Sequence, residues 1–174
     1  KEYLDGISAG YSILPKNKSD GTVRFTYPGK MEEGQFRRGF APLMAEHLGL
    51  DTPREFLRLV YQKSPEDQTI KTFRSFPAHS MLIPQIAKWV KDKIVLVGAD
   101  LPHKDRHRTP FVAGRGAIEG SIPGVMIHAH ILAQLMAGQL DKGTYPAVEL
   151  AIALTLGVIA LLLVFSEKPL IAKL

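Results

Sequence analysis

The longest apolar stretch of the chain is Ala147-Val-Glu-Leu-Ala-Ile-Ala-Leu-Thr-Leu-Gly-Val-Ile-Ala-Leu-Leu-Leu-Val-Phe165, which contains one acidic residue, Glu149, and no basic one. About nineteen residues make a helix of roughly 28 Å at 1.5 Å per residue. That nearly matches a hydrocarbon core of about 30 Å, so a single transmembrane helix is predicted over 144–166. Glu149 falls in the first turn, Pro146 suits the first helical position and Tyr145 is placed as an interfacial anchor. The rival reading is a core helix of a soluble protein, but from Leu150 onward the stretch has no polar face. Lys168 and Lys173 after the span, against Lys142 before it, favour a cytoplasmic C-terminal side by a margin of one residue.

Ahead of the span, residues 1–143 alternate between two periodicities. Asp20-Gly21 marks a turn before a strand-like Thr22-Val-Arg-Phe-Thr-Tyr27. Phe40, Leu43, Met44, His47 and Leu48 recur at helical spacing, and Gly49 stops them. Asp51-Thr52-Pro53 with Glu55 predicts another helix start, with Phe56, Leu57 and Val60 as its apolar face. Ile70 to Phe73 reads as a short strand, and Met81, Ile83, Ile86, Trp89 and Val90 as a helix interrupted or started near Pro84. The continuous run Lys93-Ile-Val-Leu-Val-Gly98 has the composition of a strand buried on both faces. A last helix is predicted over 125–137, between Pro123-Gly124 and Gly138. The expected fold is therefore α/β, a mostly parallel sheet flanked by helices, followed by a single transmembrane helix and a juxtamembrane segment at 167–174. The chain starts at Lys1 without a signal sequence, and the sheet is expected to be incomplete on its N-terminal side. Either a missing N-terminal half or another chain would complete it.

Composition narrows the chemistry. With 174 residues, 45% hydrophobic and 22% charged, the chain can build a core, which excludes wholesale disorder. The absence of cysteine excludes disulfide staples, thiolate metal sites and a Cys nucleophile. The net charge of +5 is dispersed and lacks interleaved aromatics, so no nucleic-acid partner is expected. Arg37-Arg38 and the basic loop at 104–108 could instead meet anionic headgroups. There is no phosphate loop, no Gly-x-Ser-x-Gly elbow and no His-Glu-x-x-His motif. Gly114-Arg-Gly116 signals only a flexible loop.

In open parallel sheets, ligands bind beyond the carboxyl ends of the strands. Here that place is the loop 99–111, where Asp100, His103, Asp105 and His107 are types suited to a metal, while Lys104, Arg106 and Arg108 would repel one. The plainer reading has Asp105 accepting loop amides and pairing with an arginine. On a helix, His128 and His130 lie about 200° apart and cannot share one ion. His128 falls on the stripe of Val125, Leu132, Leu135 and Met136, whereas His130 points away from it. His128 is expected to be partly buried and hydrogen-bonded, with Asp105 or a loop carbonyl as partner; a pH or ligand switch is the alternative.

The order of these pieces carries a resemblance. Ile94-Val-Leu-Val-Gly98, then Asp105 ahead of Thr109-Pro110, then Pro123-Gly-Val-Met-Ile-His-Ala129, then a membrane helix, resembles the type-two CHASE domain; Ala9-Gly10-Tyr11 and Ser19-Asp-Gly-Thr-Val-Arg24 resemble its earlier segment. The resemblance implies an extracytoplasmic sensor in a bacterial inner (plasma) membrane. Its cytoplasmic output would be a class III adenylate or guanylate cyclase, or alternatively a histidine or Ser/Thr kinase. It implies no catalytic residues and no cofactor within this stretch. Asp100, His103, Asp105, His107, Thr109 and His128 would surround a sensing pocket for a small-molecule or protein signal, with no metal. Expected partners are the lipid bilayer and a second copy of the chain or a membrane complex. Two readings of other classes stand beside it: a membrane-tethered metal-dependent hydrolase using 100–107, and a structural subunit of a membrane complex. In the sensor reading, the short 138–144 connector would pass helix displacement to the span, whose Ala153, Gly157 and Ala160 offer a small-residue contact face.

Overall fold

The computed structural model describes residues 6–62, 72–110, 121–142 and 146–166. The described chain falls into two units, one up to Lys142 and one containing the C-terminal helix.

In the first unit, β1 (Gly29–Glu32) and β2 (Gln35–Arg38) form an antiparallel hairpin in which Glu32 faces Gln35. Its two-residue loop, Glu33-Gly34, has positive φ at both positions, the geometry that lets two twisted strands pair through so short a turn. Helix α1 (Phe40–His47) follows directly and is capped by Leu48, with Gly49 at φ +77. Next come a 3-10 turn (Ala78–Leu82), α2 (Pro84–Val90), β3 (Arg106–Arg108), β4 (Ser121–Pro123) and α3 (Gly124–Met136). Strands β3 and β4 are antiparallel, with His107 opposite Ile122.

The core forms where α3 meets α1 and an extended segment near residue 57. Ala41 and Ala45 bring α1 close to α3, and Ile127, Ile131, Leu132 and Leu135 fill the contact with Val23, Leu57, Leu59 and Tyr61. Helix α3 is buried on more than one side, because His128, His130 and Gln134 are enclosed together with its apolar residues. Its end is as the sequence predicts: Ala137 caps it and Gly138 takes φ +65.

Several expectations are corrected. The described sheets are two-stranded and antiparallel, with no large parallel sheet among the described residues. The Thr22 to Tyr27 strand is reduced to single bridges, Thr22 parallel to Arg108 and Phe25 antiparallel to Arg58. The helix expected after Pro53 does not form. Leu57, Leu59 and Tyr61 are buried in alternation while Phe56 and Val60 are exposed, the two-residue period of extended chain. Long-range bonds fix that choice, since Thr26 N–H donates to Leu57 C=O (2.9 Å) and Leu59 N–H to Arg24 C=O (2.8 Å). Ile94 to Gly98 forms no strand, and Val97 is 84% exposed. A run of this kind becomes a strand only when neighbours take its amides, and no described residue does. For the strand expected at Ile70 to Phe73, Ile70 and Lys71 lie outside the described residues, and Thr72 and Phe73 form a bend. Tyr145 and the Gly114-Arg-Gly116 loop also lie outside them.

The second unit is α4 (Pro146–Ser166), about 31 Å long at 1.5 Å per residue. Its Ala147–Val164 window has a mean hydropathy of 2.6 and is 0% buried, so this helix is long and apolar enough to cross a membrane. A core helix of a soluble protein would be covered by its own chain; this one is bare. The Thr155 hydroxyl donates to Ala151 C=O at 2.8 Å, which removes its need for water.

Candidate functional site

The site is organised by the start of α3. Asp105 sits in the left-handed region, φ +52, a conformation that aspartate tolerates better than most residues. This turn sends its backbone carbonyl to accept the Gly124 N–H at 2.9 Å. Its carboxylate lies against Gly124 so closely that a Cβ there would come within 2.6 Å of Oδ1. A negative charge at a helix start is favourable, because the first amides of the helix point outward unpaired. Gly124→Ala is therefore expected to displace Asp105 and cost about 1–3 kcal/mol as an overpacked site, read as a lower denaturation midpoint. An unchanged midpoint would remove Asp105 from this role.

From Asp105 the site extends to two histidines. His107 on β3 places Nε2 2.9 Å from Asp105 Oδ1. His128, one helical turn after Gly124, is 6% exposed and meets Phe40 edge-to-face at 5.2 Å between ring centres. Burial pushes its pKa below the ordinary imidazole value; a hydrogen bond to the Ser12 backbone and the Asp105 charge oppose this, and His107 adds to it. His107 Nδ1 and His128 Nδ1 are both buried without a hydrogen-bond partner among the described residues. Thr109 is buried close by in sequence, at 3% exposure.

The six expected site residues thus separate. Asp105, His107 and His128 are joined by a hydrogen bond and by charge, whereas Asp100 and His103 stand outside. Asp100, with its side chain 67% exposed, pairs with Arg106 at 3.0 Å, and His103 is exposed in the Leu101 to Lys104 turn. The arginine partner expected for Asp105 belongs to Asp100 instead; Asp105 has His107. Among the described residues no group of three or more acidic or histidine side chains is disposed to hold a metal. A cleft of about 300 Å³ lies elsewhere, lined by Arg24, Arg58, Tyr61, Pro110 and Asp141 among others, and none of the six contributes to it.

Placed over the whole chain, this arrangement has a family. The sequence matches the CHASE2 domain over residues 8–165. The chain belongs to the CHASE2 domain family. CHASE2 domains are extracellular sensory domains of signalling proteins, which assigns this chain a sensory role. No curated protein and no solved structure matches it.

Two residues of this CHASE2 domain that the sequence reading left outside the site, His130 and Gln134, are buried in its core. His130 does not point to solvent. It is 6% exposed, between Tyr61 (5.2 Å) and Phe73 (4.9 Å), and its Nδ1 accepts the Gln62 N–H at 3.3 Å. Burial pushes its pKa down to about 4. The 200° separation from His128 holds, but each histidine finds an aromatic wall on its own side of α3. Gln134, 1% exposed, accepts the Val60 N–H and donates to both Arg58 C=O and Gln139 C=O, all at 2.9 Å. The available signal was three polar residues, His128, His130 and Gln134, inside an otherwise apolar helix. Such residues are retained there only with partners.

Proposed function

We propose that this CHASE2 domain is the extracytoplasmic sensor of a bacterial plasma-membrane protein whose output is a cytoplasmic class III adenylate or guanylate cyclase. The family supplies the sensory role, and one apolar helix supplies the anchor. Asp105, His107 and His128 form the sensing cluster in this reading. Its two unpartnered imidazole nitrogens are the observation that carries the proposal, since a buried polar atom left unmatched is costly unless a signal, a proton or a hydrogen-bonding ligand, completes it. The cluster bears on the first turn of α3, and ligand or proton affinity that differs between two positions of that helix would shift it.

The route out of the domain favours mechanical transmission. The segment after α3 is held to the core: Gln139 N–H donates to Gln134 C=O (3.1 Å), Arg58 N–H to Asp141 C=O (2.7 Å), and Lys142 pairs with Glu55 (2.8 Å). Displacement of α3 therefore reaches the residues that lead to the span.

Placement is tested with a single cysteine at the exposed Lys18, in a chain that has no cysteine of its own. An impermeant maleimide should label Lys18→Cys in intact cells; labelling only after lysis would reverse the topology. In membranes carrying the full-length protein, cyclic nucleotide formation checks the output, and phosphorylation without it would assign a kinase.

A further inference from the structure

The cleft of about 300 Å³ is built where three stretches of backbone meet. The extended segment around Leu59 is tied to the stretch around Arg24, because Leu59 N–H donates to Arg24 C=O at 2.8 Å. One residue earlier, Arg58 N–H donates to Asp141 C=O at 2.7 Å, which brings in the segment that leaves the domain. Leu57 and Leu59 are buried in the core, so the alternating Arg58 and Val60 face outward. Leu59, Val60 and Pro110 supply apolar lining. A volume of about 300 Å³ is the small end of the range for ligand sites, which suits a small molecule.

The charges decide which molecule fits. Arg24, Arg58 and Asp141 line the cleft. Arg24 is already answered, since Asp20 Oδ2 accepts from its Nη1 and Nη2, each at 2.7 Å. Tyr61 donates its hydroxyl to Val23 C=O at 3.0 Å, and burial pushes its pKa up, so it adds no charge. Arg58 is different. Its backbone is bonded to Asp141 and Gln134, but its guanidinium makes no ion pair with a described residue, Asp141 included. A guanidinium and a carboxylate thus leave from hydrogen-bonded backbone positions and border one cleft without meeting. A bare anion would be drawn to Arg58 and repelled by Asp141, and a bare cation the reverse. A molecule that carries both charges on a small apolar body suits both residues, and a carboxylate matches the planar fork of Arg58.

We propose that this cleft binds a small zwitterion of the α-amino-acid class, with its carboxylate on Arg58, its ammonium on Asp141 and its side chain against Leu59, Val60 and Pro110. The site is separate from the Asp105, His107 and His128 cluster and does not rest on that reading. A ligand so held would link Arg58 to Asp141 a second time, beside the backbone bond already present.

NMR titration of the isotope-labelled full chain in detergent micelles tests it, with L-alanine and L-leucine as probes. Amide shifts are expected at 58–61 and at Asp141. Isopentylamine, which is leucine without its carboxylate, and isocaproate, which is leucine without its ammonium, should each bind about tenfold more weakly than leucine. Arg58→Gln should weaken leucine about tenfold without weakening isopentylamine. Asp141→Asn should do the same to leucine without weakening isocaproate. That crossed pattern pairs each residue with one charge of the ligand, and misfolding cannot imitate it. Arg58→Lys should keep more of the leucine affinity than Arg58→Gln. Three results would each overturn the proposal: no shift at 58–61 with either amino acid at about 10 mM, equal weakening of all probes by both variants, or inorganic phosphate bound as tightly as leucine. The last would make the cleft a plain anion site.

Discussion

Acidifying the full chain in detergent from pH 7 to pH 4 is expected to lower the unfolding free energy of its soluble unit by about 3 kcal/mol, mostly through His130. Its pKa is pushed from the ordinary 6.5 to about 4 in the fold, with burial as the cause. The unfolded chain therefore takes up the proton first. The contribution of neutral His130 is complete above the unfolded value and is lost as pH falls through the window from 6.5 to about 4. His128 is shifted in the same direction and steepens the loss. Protonation at Nδ1 would also end acceptance of the Gln62 N–H, because an imidazolium has no free lone pair. Urea unfolding followed at several pH values measures the slope. His130→Gln, which keeps an acceptor but cannot titrate, should flatten it; an unchanged slope would place the acid sensitivity elsewhere. Asp20 belongs to a separate window. Thr22 and Arg24 hold its carboxyl down to about 2, so its contribution is lost only as pH falls from 3.8 toward that value.

Replacing Gln134 by leucine should destabilise the domain by about 3 kcal/mol or more, although leucine is similar in volume and more apolar. The amide is the hub of three bonds, one from Val60 N–H and two to the carbonyls of Arg58 and Gln139. Leucine would leave all three backbone groups unmatched, and an orphaned buried group costs about 1–3 kcal/mol. Urea denaturation gives the magnitude. Amide exchange gives the location, with faster exchange expected at Val60 and Arg58, the residues tied to α3 and to Asp141. A stability loss without local exchange at Val60 would mean that leucine simply packs badly. Gln134 joins α3 to the segment leaving the domain, so the same variant should weaken any response transmitted to the span.

The helices were legible because their signals are local. The apolar spacing from Phe40 and the stop at Gly49 lie within one short segment, as do Gly124 and Gly138 around α3. The hairpin of β1 and β2 was missed because its loop uses Glu33 at φ +51, where asparagine or aspartate would be the usual signal. Residues 56–61 satisfy both a helical reading, through Phe56, Leu57 and Val60, and an extended one, through Leu57, Leu59 and Tyr61. Nothing local separates the two. At the site, the sequence grouped Asp105, His107 and His128 with Asp100 and His103, which the structure sets apart. Residues adjacent along a loop diverge when one of them turns through the left-handed region, as Asp105 does.

What the sequence determined by itself is what depends on neighbours in the chain: the apolar length of α4, the start and stop of α1 and α3, and the ordered motif that places the chain in its family. Only the tertiary structure decided the partners. Leu57 N–H finds Thr26 Oγ1 across 31 residues, and Gln134 reaches Arg58 across 76. It also decided that the most strand-like run in the sequence, Ile94 to Gly98, has no partner among the described residues. The physical reason is that a helix satisfies its own backbone four residues away, whereas an extended chain must borrow its hydrogen bonds from somewhere else.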